Sequence, residues 1–145
     1  MILVENDIIA LRLPQTEDLD KFYTWENDPA GQICATAKYS RFELWQYLHN
    51  PIIEKETRFI IIDKANNEAI GYVENIDGIG IYIDRTRRNK GLGTAALTLF
   101  VQHLNKELYA RIETTNLSSQ RIFLKAGFKK AGVKDGIGLW TKGII

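Results

Sequence analysis

The chain has 145 residues, 45% hydrophobic and 26% charged, which fits one globular domain and leaves no room for two. Nineteen Lys and Arg against eighteen Asp and Glu give a net charge of +1, which argues against general electrostatic binding to nucleic acid or to an anionic membrane. One cysteine excludes an internal disulfide framework and a cysteine zinc site, no apolar run approaches the ~18 residues of a membrane span, and Glu5 and Asp7 stand where a signal peptide would be apolar, so the expectation is a cytoplasmic protein.

Residues 6–13 are aliphatic, stop at Pro14 and read as a strand. Thr16 can cap a helix whose first turn holds Glu17 and Asp18 at the positive end of its dipole. Leu19, Phe22, Tyr23 and Glu26 follow at helical spacing until Asp28-Pro29 ends the run. A second helix starts at Ser40, with Glu43 completing a capping box, and stops at Asn50-Pro51. The period then shortens. Residues 57–63, 69–76 and 79–84 read as three consecutive strands, the last two joined at Asp77-Gly78, a tight-hairpin dipeptide. From Leu92, the residues Leu97, Phe100, Val101, Leu104 and Leu108 mark the buried stripe of a third helix. Residues 109–113 form a strand, 118–126 a short helix closed by Gly127, and 128–133 and 137–141 a last hairpin. The order of elements predicts a mixed-sheet α/β (α+β) domain over residues 1–145.

The stretch IYIDRTRRNKGLGTAA, residues 81–96, carries the chemistry. A strand runs into Arg85, Arg87, Arg88 and Lys90, then Gly91-Leu92-Gly93, then a helix. Glycines permit close backbone approach, and the first-turn amides of a helix have no intrahelical partner. With the helix dipole and four basic side chains, the stretch predicts an anion site, a pyrophosphate above all. A P-loop requires its lysine after the glycines, and Lys90 precedes them. Gly91, Gly93 and Ala96 also fit the dinucleotide pattern G-x-G-x-x-A, with Glu113 as the ribose-binding acid. That fold, however, places its fingerprint after the first strand of a long parallel sheet, and only about fifty residues follow here.

Arg88-Asn89-Lys90-Gly91-Leu92-Gly93 resembles instead the R/Q-x-x-G-x-G/A signature of the GNAT acetyltransferase superfamily. Residues 116–128, NLSSQRIFLKAGF, resemble the same family's N-x-x-[AS]-x-x-x-[Y/F]-x-K-x-G-F helix, in register with the first motif. Trp25-Glu26-Asn27-Asp28-Pro29 and the preceding Leu11-Arg12 are similar to the branch containing ribosomal-protein N-terminal and spermidine N-acetyltransferases. The resemblance implies a mostly antiparallel sheet splayed between its fourth and fifth strands, here 79–84 and 109–113, flanked by about four helices. It implies acetyl-CoA as cosubstrate and a primary amine as acceptor, with no metal, nucleic acid or membrane partner.

Carried over residue by residue, the resemblance implies that backbone at Ile81, Tyr82 and Ile83 pairs with pantetheine and that amides of Arg88, Asn89, Lys90, Gly91, Leu92, Gly93 and Thr94 take the pyrophosphate. It further implies Asn116 on pantetheine, Phe123 near the sulfur and Lys125 toward the 3′-phosphate, although an exposed helical lysine is commonly just solvated. Many family members carry a tyrosine where this chain has Phe123, which has no proton to give. Ser119, four residues earlier on the same helical face, is the replacement proton donor; a small residue admitting the cofactor, or water as the donor, are the alternatives. Glu74 is the candidate base, with a solvated strand acid as the alternative, because the attacking amine must be neutral. Trp25, Glu26 and Asp28 are candidate acceptor contacts, with Trp45, Tyr39 and Tyr47 as further pocket walls.

Cys34 has no neighbouring histidine to activate it, and His49 and His103 are too isolated to suggest a metal. Two other functions remain in view. A CoA-binding module without catalysis is motivated by Phe123; a nucleic-acid binder is motivated by the basic run and opposed by the charge balance and the lack of an aromatic platform.

Overall fold

The computed structural model describes residues 2–28, 40, 42–43, 45–46 and 58–144. It opens on a hairpin of β1 (Ile2–Glu5) and β2 (Ile9–Arg12). The Asn6 side-chain oxygen accepts from the amides of Ile8 and Ile9, both at 2.9 Å, and turns the chain where one strand over 6–13 was expected. A 3₁₀ turn, Thr16–Asp18, leads into α1 (Leu19–Glu26), and its cap is Gln15 rather than Thr16. Asp18 locks that start: its carboxylate accepts from the Gln15 amide at 2.7 Å and from both terminal nitrogens of Arg12 at 2.7 and 2.8 Å. The capping box at Ser40 and Glu43 is present, with reciprocal bonds of 3.1 and 3.2 Å. The expected stop at Asn50-Pro51 lies outside the described residues, as do Cys34, Tyr39, Tyr47 and His49.

β3 (Arg58–Asp63), β4 (Glu68–Asn75) and β5 (Ile79–Ile83) form the expected meander, turning at Asp77 and Gly78, whose φ angles of 52° and 108° suit an Asp-Gly hairpin. α2 (Leu92–Leu104) follows, then β6 (Leu108–Glu113), α3 (Leu117–Lys125), β7 (Lys129–Lys134) and β8 (Ile137–Lys142). The helix stripe was expected to include Leu108, which is instead the first residue of β6. Asn105, left-handed at φ 44°, ends the helix first, and Leu108 is buried in the same core from a strand.

Strands order as β1-β2-β3-β4-β5 in one sheet and β6-β8-β7 in another, and every described ladder is antiparallel. The break therefore falls between the two strands expected to splay; the N-terminal β1 makes them fifth and sixth in the chain. Strand alternation gives the first sheet two apolar faces. Phe59, Ile61 and Val73 point to α2 and α3, where Phe100 meets Phe59 edge-on at 5.5 Å. Ile60, Tyr72 and Tyr82 point to Phe22 and Trp25 of α1. No helix among the described residues is long and apolar enough to cross a membrane.

Gly71 brings β4 and β5 together: a Cβ there would lie 2.0 Å from the Tyr82 carbonyl oxygen. Gly71→Ala is expected to force the strands apart and lower stability by at least about 1–3 kcal/mol, read as a lower urea midpoint.

Candidate active site

The geometry of the break follows from the register of β5. Its residues pair with β4 as Gly71 with Ile83, Tyr72 with Tyr82, Val73 with Ile81 and Glu74 with Gly80. One residue on, the Asp84 amide donates to the Ile70 carbonyl at 2.7 Å. In an antiparallel ladder the inward-bonding residues alternate, so Tyr82 and Gly80 also bond toward β4. The backbone groups of Ile81 and Ile83 therefore point the other way, into the gap. Of the three backbone contacts expected on this strand, Tyr82 is corrected: its backbone is turned to β4. At the other end the two sheets stay joined. The Tyr109 hydroxyl donates to Asp77 at 2.7 Å, and Arg111 donates to the Asp77 carbonyl at 3.2 Å. That tyrosine bond, with Arg111 beside it, holds the Asp77 carboxyl below its ordinary range. The result is a break joined at the base of β5 and β6, with the Ile81 backbone and the Ile83 amide turned toward it.

Beyond Ile83 the chain enters the loop expected to bind phosphate. Asp84 accepts from the Thr86 amide at 3.0 Å and the Trp25 indole at 3.2 Å, which turns the chain away from the strand. Burial pushes the Asp84 carboxyl up, but these bonds together hold it below its ordinary value. Asn89 and Gly91 are left-handed, at φ 63° and 77°, and nothing lies within 4 Å of the position a Gly91 Cβ would occupy. Gly91 gives α2 no side-chain cap, so the amides of Leu92, Gly93 and Thr94 lead the helix bare toward that open space. Gly93 has a second duty: a Cβ there would meet Ile122 at 3.0 Å and Ile83 at 3.5 Å, so its absence lets α2, α3 and β5 converge.

The basic side chains behave differently from the expectation. Arg85 pairs with Asp28 at 2.6 Å, and Arg87 pairs with Asp63 at 2.9 Å and with Glu68. Arg88 donates through Nε to the Ile83 carbonyl at 2.8 Å and lies 3.4 Å from Asp28. Three of the four cations thus hold the loop to the body of the protein; exposed Lys90 forms no ion pair among the described residues.

Two expected acceptor contacts, Trp25 and Asp28, sit in the same network. Trp25 is 1% exposed and packed on Tyr72 and Tyr82 at 6.2 and 6.0 Å, so it is core. Asp28 accepts from the Tyr82 hydroxyl at 2.5 Å as well as from the arginines, so its carboxylate is occupied. Burial and that bond raise the Tyr82 phenol well above its ordinary value.

On α3, the Asn116 side-chain oxygen accepts from the Ser119 amide at 3.1 Å and caps the helix. Ser119 is half-buried and Lys125 is exposed. Phe123 is buried edge-on against Phe128 at 4.9 Å, as part of the core.

Glu74, the candidate base, sits at the end of β4 opposite Gly80, 20% exposed, with its carboxylate 3.1 Å from Arg58. The same Arg58 nitrogen is 3.2 Å from Glu26. Tyr72 hydrogen-bonds Glu26, and burial pushes the Glu26 carboxyl up despite Arg58. Arg58 itself escaped the sequence reading, although a lone cation leading the apolar run RFIIID was its signal.

An antiparallel sheet that breaks beside a βα junction, with an uncapped glycine-led helix facing the break, defines a fold class, and the comparisons agree with it. The family model for the acetyltransferase (GNAT) domain matches residues 9–129. The chain belongs to the GNAT acetyltransferase family, and is a transferase of acyl groups by class. Among solved structures, a GNAT-family acetyltransferase from Bacillus anthracis superposes with a TM-score of 0.79 at 14% identity, covering 98% of both chains. Spermidine N-acetyltransferase from Vibrio cholerae, in complex with CoA and spermine, gives 0.77 at 21% identity over 94% of this chain and 96% of that one. AAC(6')-Ib in complex with paromomycin and acetyl-CoA gives 0.76 at 23% over 95% and 94%. These likenesses show the fold. No curated protein matches the sequence. Among the described residues no cluster of three His, Cys, Asp or Glu is placed to hold a metal.

The buried Glu26 makes a stability prediction with a definite sign. A carboxyl whose folded pKa lies above its ordinary 4.5 adds stability while protonated, and that addition is lost as pH rises through the folded value. Glu26→Gln is therefore expected to gain stability relative to the parent between about pH 4 and about pH 7, measured by urea unfolding at both.

Proposed function

We propose that the protein is an acetyl-CoA-dependent N-acetyltransferase that moves an acetyl group directly to a primary amine. The observation that carries this reading is the run of chain from the β5 edge, where the Ile81 backbone and the Ile83 amide turn from β4, to the uncapped first turn of α2 at Gly91. Such a run fits a long thioester ligand: strand-like at the arm, phosphate-binding at the end. Acetyl-CoA supplies the activated acyl carbonyl. Backbone of Ile81 and Ile83 holds the pantetheine arm, and an amide there polarises the thioester carbonyl. Amides of residues 88–94 take the pyrophosphate, with Lys90 free of structural ion pairs to approach it. The Asn116 amide group and the Phe123 ring line the α3 side, and Lys125 reaches outward to the 3′-phosphate.

The chain's own groups then handle two protons. Glu74 accepts a proton from the ammonium form of the acceptor, leaving a neutral nitrogen whose lone pair forms the new C–N bond. As the C–S bond breaks, the electron pair stays on sulfur, which takes a proton from the Ser119 hydroxyl, and the hydroxyl recovers one from the nitrogen as it sheds its second proton to become the amide. Glu26 adds negative charge beside Glu74, which favours an ammonium at this face.

Phe123 favours a second reading, a CoA-binding module without turnover, since its buried ring offers no acid. Both readings require CoA binding; only the first releases free thiol. The test is a panel of primary amines incubated with acetyl-CoA and a thiol-reactive dye, where thiol release with none of them would favour the binding module.

CoA binding is expected to raise the melting temperature, with stabilisation of about 2.7 kcal/mol at ~100-fold excess over Kd. Gly91→Asp should keep the fold, because the site is open and Asp tolerates positive φ, yet abolish the CoA-induced shift by placing negative charge against phosphate. Ser119→Ala is expected to lower kcat by about 10²–10⁴-fold with CoA binding nearly unchanged; full activity would assign thiolate protonation to water.

A further inference from the structure

We propose that Arg58 is the positioning residue of the acetyl-transfer site: it fixes the Glu74 carboxylate over Gly80 by dividing one guanidinium nitrogen between Glu74 and Glu26. The inference rests on Glu74 serving as the base. The geometry is specific. Arg58 leads β3 with its side chain 7% exposed, and its terminal nitrogen lies 3.1 Å from Glu74 and 3.2 Å from Glu26. Its guanidinium carbon stands 4.7 Å from the Tyr72 ring and 5.1 Å from the Phe22 ring, so aromatic faces hold the planar group from both α1 and β4.

Stability alone does not account for this arrangement. A buried ion cluster is usually no more stable than apolar residues of the same volume, whereas one missing partner costs several kcal/mol. Here two carboxylates share a cation, and one of them, Glu74, keeps an exposed edge while Glu26 is enclosed. Among the described residues, the groups facing Glu74 are Arg58 from β3, Glu26 from α1 and Tyr72 from β4, and Gly80 of β5 lies opposite, where a Cβ would touch the Glu74 side chain at 3.4 Å. Arg58 lies against both carboxylates, so the place of the Glu74 carboxylate depends on the guanidinium and on Glu26 together. Burial pushes the Glu26 carboxyl up, and Arg58 beside it acts the other way.

The test compares Arg58→Gln, Arg58→Lys, Glu26→Gln and Glu74→Gln by two measurements. The first is acetyl transfer to spermine, kanamycin and a peptide N-terminus as probes, followed by thiol release across pH. The second is a ¹³C titration of the glutamate carboxyls, which needs no acceptor and reads each variant that folds. Arg58→Gln should move the Glu74 titration and the acid limb of kcat/KM up by about 1 pH unit or more, and Glu26→Gln should move both down. Arg58→Lys keeps a charge without the planar fork, so kcat should fall by about 10²-fold with KM for acetyl-CoA unchanged and the acid limb nearly in place. A Glu74 titration unmoved in both Arg58→Gln and Glu26→Gln would overturn the proposal, as would normal kcat in Arg58→Lys. Full activity in Glu74→Gln would instead remove the base assignment on which it rests, a distinct result from an inactive Glu74→Gln with an indifferent Arg58.

Discussion

Between β5 and β6 the hydrogen-bond ladder is not made; the Ile81 backbone and the Ile83 amide face the gap that results, while the Ile83 carbonyl accepts from Arg88. Exposed strand edges invite another strand, so a protein that keeps one must cover it or use it. This chain keeps the two sheets in contact at one end, through Asp77, Tyr109 and Arg111, and leaves the other end apart. The helix that follows the loop, α2, starts at Gly91, which adds no side-chain cap of its own. Strand edge and helix start are thus two parts of one donor surface.

The loop joining them is rigid, with its Thr86 and Arg87 amides bonded back to Asp84. Arg85, Arg87 and Arg88 supply that rigidity by pairing with Asp28, Asp63 and Glu68, and Asp84 by accepting from Trp25 and Thr86. The positive charge of the loop is therefore largely balanced from within. In the proposed site, anion affinity rests on oriented amides and the helix dipole rather than on these arginines. Asp28 also ties the end of α1 to this loop through Tyr82, so the acceptor-side helix and the phosphate-side loop share one carboxylate.

On the α1 face, aromatic stacking and buried charge meet. Tyr72 packs on Phe22, Trp25 and Tyr82, and the Arg58 cation lies over its ring while the Tyr72 hydroxyl engages Glu26. The apolar part of this layer anchors α1 to the sheet; the charged part ends at Glu74, where the protein meets solvent. A shift of α1 would be felt at the candidate base through Glu26 and Arg58.

Local pattern was enough to mark the meander, the Asp77-Gly78 turn, the glycine-led helix and the Asn116 motif, because each depends on neighbours within a few residues. Asn6 turning the chain and Asn105 ending α2 were less legible, since apolar residues on both sides continue the period across them. Charge partners were not legible at all. Arg85 and Arg88 read as ligand-binding cations until Asp28, some sixty positions away, is brought against them, and Trp25 reads as a pocket wall until Tyr72 and Tyr82 enclose it. Local spacing was enough for most of the elements, for the family motifs and for the loop that leads with glycine, but not for the hairpin of β1 and β2. Only the tertiary structure decided which strand edge opens to the cleft, which cations are already neutralised and which arginine holds Glu74, because hydrogen bonds and ion pairs between distant segments leave no trace in local spacing.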